Sequence, residues 1–233
     1  MDNLELVIFD LGGTTIRDSG QVPEAFRAAL QAAGFAVSQE DLQKARGASK
    51  REVIRSFVER RFSPGDPETL ARAETIFNSF RDNLAGRYAQ GGIEVLPGVV
   101  ETFAWLQRRQ VSIALNTGFD RAITTLILQT VRWDEAVVQA VVCGDDVPQG
   151  RPAPYLIFHA MESLGVTDVH RVAVVGDTVL DLQAGWNAGV RWNIGVWSGA
   201  HSREKLAQAP HTHLLPGVAA LPEIWGTEYE QIE

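Results

Sequence analysis

Residues 6–15 decide the fold of this chain, and they read LVIFDLGGTT. Four consecutive apolar residues lead to Asp10, and the glycines Gly12 and Gly13 follow almost at once. A short apolar run that meets a glycine pair predicts a buried β-strand that enters a tight turn. We therefore place Asp10 at the carboxyl end of a first strand.

The next stretch, residues 16–92, has helical periodicity and shows no convincing strand. Apolar residues recur there every three or four positions, and Gly34 ends the first run. Ser38 precedes Asp41 by three positions, which is typical of a helix N-terminus. A last helix is predicted from Glu68 towards Tyr88. The chain thus leaves the sheet after Asp10 and returns some 75 residues later.

Beyond Pro97 and Gly98 helices and strands alternate. Helices are predicted at 99–107, 122–131, 154–164 and 179–187, and strands at 111–115, 137–143, 172–175 and 192–196. This alternation predicts an α/β fold with a doubly wound parallel sheet. Functional sites of such folds lie at the carboxyl ends of the strands. Residues 1–15 and 93–233 would form the catalytic core, and residues 16–92 a helical cap over that edge.

The composition excludes several classes of partner. The formal net charge is -8, which argues against nucleic acid and anionic membranes but not against a small anionic substrate. The acidic start has no signal-peptide pattern, and no apolar stretch is long enough to span a bilayer. Cys143 is the single cysteine, so a disulfide framework is impossible and a reducing, cytoplasmic location is expected.

Polar clusters follow four apolar runs and would converge on one edge of the sheet. They are Asp10 to Thr14, Asn116 to Gly118, Gly150 to Pro152, and Gly176 to Thr178 followed by Asp181. Each cluster alone is about as suited to capping the next helix as to catalysis. Helix capping alone does not readily explain four such clusters at one edge of the sheet. Their convergence therefore favours a functional site.

The side chains of these clusters have complementary chemistry. Asp10 and Asp177 offer the hard oxygen ligands that Mg²⁺ prefers. Thr117 offers a hydroxyl and Gly118 a backbone N–H at a helix start, and both suit a phosphoryl group. Arg151 offers a cationic fork for phosphoryl oxygens. A carboxylate beside a metal and a cation can attack phosphorus, because these charges offset its repulsion from the phosphoryl anion.

The motifs together resemble the haloacid dehalogenase superfamily over nearly the whole chain. The resemblance implies in-line attack by Asp10, an aspartyl-phosphate intermediate and its hydrolysis by water. It also implies that Mg²⁺ is bound by Asp10, the carbonyl of Gly12 and Asp177, with Asp181 completing the site directly or through water. Gly13 would join the phosphate-binding residues.

Two departures narrow the resemblance. Most phosphatases of the superfamily carry a second aspartate where this chain has Gly12, and lysine where it has Arg151. Both changes resemble the phosphonatase branch, phosphonoacetaldehyde hydrolase and its relatives. In that branch a cap lysine forms an iminium with an aldehyde, and Lys50 aligns with it. A helix start at Lys50 would favour the neutral amine that this reaction requires.

The match to this branch is incomplete in the cap. Arg46 stands where the branch has methionine, Val53 where it has a proton-relaying histidine, and Phe119 where it has tyrosine. Lys50 could equally be the solvated first turn of a helix. Arg46 could bind a second anionic group.

Three functions stay open at this point. The first is a phosphonatase-like hydrolase that cleaves a phosphorus–carbon bond with Asp10 and Lys50. The second is a phosphate monoester phosphatase of the phosphoglycolate phosphatase type on the same scaffold. The third is a degraded site that only binds a ligand. The substrate would be a small phosphonate or phosphate, and the protein a monomer or homodimer.

Overall fold

The computed structural model of this chain describes residues 3–226. Within this range six parallel strands form one sheet in the order β3-β2-β1-β4-β5-β6. The strands are β1 Leu6–Asp10, β2 Ser112–Asn116, β3 Ala140–Val142, β4 Val172–Gly176, β5 Trp192–Val196 and β6 His213–Leu215. The predicted parallel α/β architecture is confirmed.

The helices fall into two groups along the chain, one between β1 and β2 and one after β2. Those between β1 and β2 are α1 Gln21–Ala32, α2 Gln39–Lys44, α3 Lys50–Glu59, α4 Pro67–Gly91 and α5 Val99–Arg108. Those that follow are α6 Arg121–Val131, α7 Tyr155–Ser163, α8 Val179–Ala188, α9 Arg203–Leu206 and α10 Leu221–Gly226. None of the helices in residues 3–226 combines the length and hydropathy of a membrane span.

The central strand β1 explains why the first apolar run is continuous. All five of its residues are buried. Val7 and Phe9 pack into one apolar cluster, whereas Leu6 and Ile8 pack into another on the opposite face. Since both faces of a doubly wound sheet are covered by helices, a strand in its centre needs apolar residues at every position.

The helices α1 to α4 form the insert that was predicted as a cap. Phe26 of α1 packs edge-on against Phe57 of α3 and Phe80 of α4, with ring centroids 6.0 and 6.3 Å apart. Ser38 and Asp41 form the predicted capping box at the start of α2. The insert is therefore a helical bundle with its own aromatic centre. A division into domains at residues 16 and 92 stays a prediction, and residues 1, 2 and 227–233 of the predicted core lie outside the described range.

Two adjacent chain segments connect the insert to the sheet. The N–H of Leu96 donates to the carbonyl of Thr15 at 2.9 Å, and the N–H of Arg17 donates to the carbonyl of Glu94 at 2.8 Å. The side chains of Arg17 and Glu94 also form an ion pair, with 2.8 Å between Nε and Oε2. These bonds fix the place at which the insert leaves and re-enters the core.

One strand prediction was wrong in extent, and one strand was not predicted. The strand predicted at 137–143 covers only Ala140–Val142. Asp134 causes the difference, because its carbonyl accepts the N–H groups of Val137 and Val138 and so holds them in a turn. The strand β6 was not predicted, since its three residues are only half-buried and show no apolar run.

Candidate active site

The predicted site residues meet at the carboxyl edge of the sheet, under the helical insert. Asp10 ends β1 beside Asn116 of β2, and Asp177 directly follows β4 on the other side. One cavity collects most of them, and its lining includes Asp10, Gly12, Arg46, Lys50, Thr117, Gly118, Arg151 and Asp177. Gly13 lines an adjoining cavity, and Asp181 is buried in contact with Arg151. The structure thus joins residues from both parts of the chain.

Arg151 is the buried cation of the site. Its Nη1 lies 2.8 Å from Oδ1 of Asp10 and 2.7 Å from Oδ1 of Asp181. Its Nη2 donates to the carbonyl of Asn116 at 3.0 Å and to the side-chain oxygen of the same residue. Its Nε–H has no hydrogen-bond partner among residues 3–226. A fixed guanidinium with a spare donor beside Asp10 suits a phosphoryl oxygen.

Two buried carboxylates face each other across the site. Burial raises the pKa of Asp10 to about 7, the ion pair with Arg151 opposes this rise, and Asp181 adds to it. Burial, followed by repulsion from Asp10 and Asp181, raises the pKa of Asp177 well above its usual range. The N–H of Ala200 holds Asp177 by donating to Oδ2 at 2.6 Å. Carboxylates held in this way are costly to ionise unless a further cation joins them.

The donor set fits Mg²⁺, which is usually held by one or two carboxylates together with waters. Asp10 and Asp177 supply two carboxylates, and no hydrogen bond among residues 3–226 uses the carbonyl oxygen of Gly12. Asp181 is less available, because Oδ1 pairs with Arg151 and Oδ2 accepts from Thr178 in a capping box. Within the described residues no three acidic, histidine or cysteine side chains are arranged as a metal-binding group.

Glycine at position 13 is required by the close approach of Asp177. The φ of Gly13 is +92°, and a Cβ there would lie 2.3 Å from Oδ2 of Asp177. The N–H of Gly13 donates to the carbonyl of Ile16 at 2.7 Å, so this donor is already used within the turn. Gly12 differs, since a Cβ would meet only the ring of Phe119, at 3.7 Å. Its lack of a side chain is therefore not forced by packing.

Thr117 and Gly118 lie where β2 leads into α6. Thr117 is buried, and its Oγ1 accepts the N–H of Phe119 at 3.2 Å, which leaves the hydroxyl proton for a ligand. The prediction that Gly118 stands at a helix start was wrong, because α6 begins at Arg121 with Asp120 as N-cap. A Cβ on Gly118 would lie 2.9 Å from the carbonyl oxygen of Ala48. Gly118 therefore lets the insert approach the core.

Lys50 is the first residue of α3, as predicted, but it is not solvated. Its side chain is buried, and Nζ donates to the carbonyls of Ala45 at 2.7 Å and Ala48 at 3.0 Å. Burial is the main cause that lowers the pKa of Lys50 to about 8, while Asp18 and Asp10 act in the opposite direction. A neutral amine can donate both N–H groups to these carbonyls and keep its lone pair for a ligand.

Sequence reasoning missed the loop that follows β5. The N–H of Ala200 binds Asp177, and Oγ of Ser198 donates to the carbonyl of Gly13 at 3.0 Å. The pair Ser198-Gly199, one residue beyond the end of β5 at the active edge, was the available signal. Asp18 and Tyr88 also line the cavity but stand in helical or loop sequence without a motif.

The family of this chain follows from its sequence as well as its site. The family model for haloacid dehalogenase-like hydrolases matches residues 4–189. The chain therefore belongs to the haloacid dehalogenase-like hydrolases and is an enzyme of that family.

Individual relatives and solved structures show which members of the family this chain resembles. A phosphonoacetaldehyde hydrolase from Latilactobacillus sakei is 31% identical over 199 residues, which cover 82% of this chain and 74% of the relative. Two solved structures share the fold at 22% identity. A hydrolase from Pseudomonas syringae has a TM-score of 0.82 and covers 96% of this chain and 98% of its own. A phosphonoacetaldehyde hydrolase-like protein from Oleispira antarctica has a TM-score of 0.81, with coverage of 97% and 92%.

Proposed function

We propose that this hydrolase is a Mg²⁺-dependent phosphohydrolase of the phosphonatase type, which releases phosphate from a small phosphonate by breaking its phosphorus–carbon bond. One observation carries the proposal: the buried amine of Lys50 lines the same cavity as the carboxylate of Asp10. The 31% identity to a phosphonoacetaldehyde hydrolase supports the same choice.

Asp10 supplies the nucleophile in this proposal. One of its oxygens attacks phosphorus, the bond from phosphorus to the leaving carbon breaks, and an aspartyl-phosphate forms. Arg151, Thr117 and the backbone near Gly118 hold the phosphoryl oxygens. Asp10, Asp177 and the carbonyl of Gly12 would hold Mg²⁺, which offsets the negative charge of the phosphoryl group. Water then hydrolyses the aspartyl-phosphate, which frees phosphate and restores Asp10.

Lys50 supplies the electron sink. Its neutral amine adds to the aldehyde carbon, water leaves, and an iminium forms. When the phosphorus–carbon bond breaks, its electron pair moves into this iminium and gives an enamine. Protonation of the enamine carbon and hydrolysis of the resulting iminium release acetaldehyde and restore the amine. The sum is phosphonoacetaldehyde plus water giving acetaldehyde plus phosphate.

A phosphate monoester phosphatase is the second candidate, and one observation favours it. Both hydrogen bonds of Lys50 Nζ go to backbone carbonyls of its own loop, which is also what a purely structural lysine would do. In that case the substrate would be an ester whose leaving group is acidic enough to depart without being protonated. The general-acid aspartate, which is replaced by Gly12 in this chain, would then not be needed.

Phosphate release separates the two candidates. We would assay phosphonoacetaldehyde and phosphoglycolate with Mg²⁺, using wild type and Lys50→Ala. The phosphonatase proposal expects phosphate from phosphonoacetaldehyde with wild type and none above background with Lys50→Ala. If phosphate is released from phosphoglycolate alone, and equally by wild type and Lys50→Ala, the phosphonatase proposal fails and the phosphatase takes its place.

Borohydride trapping tests the covalent step directly. Reduction in the presence of phosphonoacetaldehyde should leave an ethyl group on Lys50 in wild type, since the phosphorus–carbon bond has been cleaved. In Asp10→Asn the bond survives, and the adduct should be a phosphonoethyl group. Peptide mass spectrometry locates it, and an unmodified Lys50 in both proteins would contradict the role of the amine.

A further inference from the structure

Arg46 is a second cation beside Lys50 that the proposed reaction does not use. It belongs to the loop that joins α2 to α3, and its side chain lines both the main cavity and the adjoining one. The one hydrogen bond of its side chain among residues 3–226 runs from Nη1 to the carbonyl of Ala200, at 3.4 Å. A guanidinium has five N–H donors, so most of its binding capacity is unused.

The positively charged side chains around the cavity differ in whether they form ion pairs. Arg151 is paired with Asp10 and Asp181, and Arg17 is paired with Glu94. Arg46 forms no ion pair within residues 3–226. Lys50 also forms none there, but its Nζ is bound by two carbonyls, and with its pKa lowered by burial to about 8 it carries only about half of a full charge at that pH. Arg46 is therefore a half-buried positive charge that faces the cavity with no carboxylate in ion-pair contact among residues 3–226, although the carboxylate of Asp18 lines the same two cavities.

We propose that Arg46 binds a carboxylate of the substrate, so that the enzyme takes a phosphonate or phosphate that carries a carboxylate at its other end. This inference names the substrate class of the proposed hydrolase and in that respect rests on the proposed function. One guanidinium balances one carboxylate and can bind it through two parallel hydrogen bonds.

The position of Arg46 fits this substrate. Asp10, Thr117 and Arg151 lie at the sheet edge and would hold the phosphoryl end, whereas Arg46 belongs to the insert, four residues before Lys50. The guanidinium of Arg46 also contacts the loop after β5 through Ala200, so the carboxylate would lie beside that loop, and a carbonyl carbon bound to Lys50 would join the two anionic ends of the substrate. A 3-phosphonopyruvate-like skeleton has this order of groups: phosphonate, methylene, carbonyl and carboxylate.

A binding comparison tests the inference without turnover. The probes are 3-phosphonopropionate and propylphosphonate, which have the same carbon chain length and differ in the terminal carboxylate. Neither has a carbonyl, so Lys50 cannot react with them. Calorimetry with Mg²⁺ should show wild type binding 3-phosphonopropionate more tightly, on the order of tenfold to a hundredfold.

Variants assign this preference to the arginine. In Arg46→Met the two dissociation constants should become nearly equal, and Arg46→Lys should keep part of the preference because it keeps the charge. Arg55→Met is the matched control, since Arg55 lies on α3 and pairs with Glu59 away from the cavity. A wild-type ratio near one, or a ratio that Arg46→Met leaves unchanged, would overturn the proposal.

Turnover separates this inference from the proposed function. If phosphonoacetaldehyde is hydrolysed but the binding ratio is one, the hydrolase stands and the carboxylate site fails. If the ratio is high and depends on Arg46 but the phosphorus–carbon bond is cleaved neither in phosphonoacetaldehyde nor in 3-phosphonopyruvate, the carboxylate site stands and the phosphonatase chemistry fails. If Arg46→Met shifts the pH profile of turnover but leaves the ratio of the two dissociation constants unchanged, Arg46 acts only by changing the pKa of Lys50. That outcome would also overturn the carboxylate proposal.

Discussion

At the scale of single residues, Arg151 organises the site by contacting three side chains at once. Its guanidinium reaches Asp10, Asp181 and Asn116 from a buried position at the wall of the cavity. A lysine offers a single ammonium and cannot reproduce this planar arrangement. The geometry gives a physical reason for the arginine, because one buried group both contacts Asp10, the proposed nucleophile, and has an Nε–H without a hydrogen-bond partner among residues 3–226.

Replacing the nucleophile tests this arrangement. Asp10→Asn keeps the shape of the side chain but removes the attacking oxygen's charge, and Arg151 keeps Asp181 as an ion-pair partner at 2.7 Å. We expect phosphate release to fall on the order of a thousandfold or more, with the fold retained. Steady-state assays and circular dichroism measure the two effects. Near-normal turnover in the folded variant would remove Asp10 from the mechanism.

In the proposed mechanism the amine of Lys50 should make activity depend on pH. Burial lowers its pKa to about 8, so below pH 8 most molecules carry an ammonium, which cannot add to an aldehyde. The rate constant kcat/KM for phosphonoacetaldehyde should therefore rise from pH 7 to pH 8 and level off above this pKa, and below pH 7 protonation of Asp10 should make its fall steeper. The profile should be recorded from pH 6 to pH 9.5. A flat profile over this range would argue against imine formation.

At the scale of elements, helix α3 is bonded directly to the loop that carries Arg151. Oε1 of Glu52 accepts the backbone N–H of Gly150 at 2.7 Å. Lys50 begins the same helix, and Arg151 follows Gly150. This hydrogen bond therefore links the helix that begins with Lys50 to the loop whose Arg151 contacts Asp10.

Breaking this link should weaken catalysis without removing any reacting group. Glu52→Ala should lower kcat/KM about fivefold to tenfold, because a hydrogen bond to a charged group contributes roughly 1.5–3 kcal/mol and this one is only partly buried. Glu52→Gln keeps an acceptor and should retain most of the activity. Glu59→Ala is the control on the same helix, since Glu59 pairs with Arg55 within the helix. Equal losses in the Glu52→Ala and Glu59→Ala variants would mean that helix stability is responsible.

The elements also show how far a sequence can predict this structure. The runs that end at Asp10 and Gly176 were predicted because apolar residues at successive positions occur in strands covered on both faces. The shortening of β3 depends on a turn closed by Asp134, and β6 on pairing with β5, and neither leaves a local pattern. The same reason explains the site. The motifs indicate which residues converge. The burial of Lys50 and the hydrogen bond from the N–H of Ala200 to Asp177, however, arise only from tertiary contacts.

At the scale of the whole molecule, the active site depends on both parts of the chain. The sheet supplies the carboxylates and Arg151, and the insert supplies Lys50 and Arg46. Motion of the insert about segments 16–20 and 91–97 would open the site to substrate, and both segments are fixed to each other by backbone hydrogen bonds. The cytoplasmic location and the choice between monomer and homodimer stay predictions.

Binding of Mg²⁺ should stabilise the whole fold, because a ligand that binds only the folded state adds its binding free energy to the free energy of unfolding. At about one hundred times its Kd, the ion adds about 2.7 kcal/mol, which corresponds to a rise in Tm of roughly 5–10 °C for a chain of this size. Thermal melts with and without Mg²⁺ measure this rise. Asp177→Asn should lose most of it, while Asp82→Asn, an exposed position on α4, should keep it. An equal rise in all three proteins would place the ion elsewhere, since Asp177 would then contribute nothing to its binding.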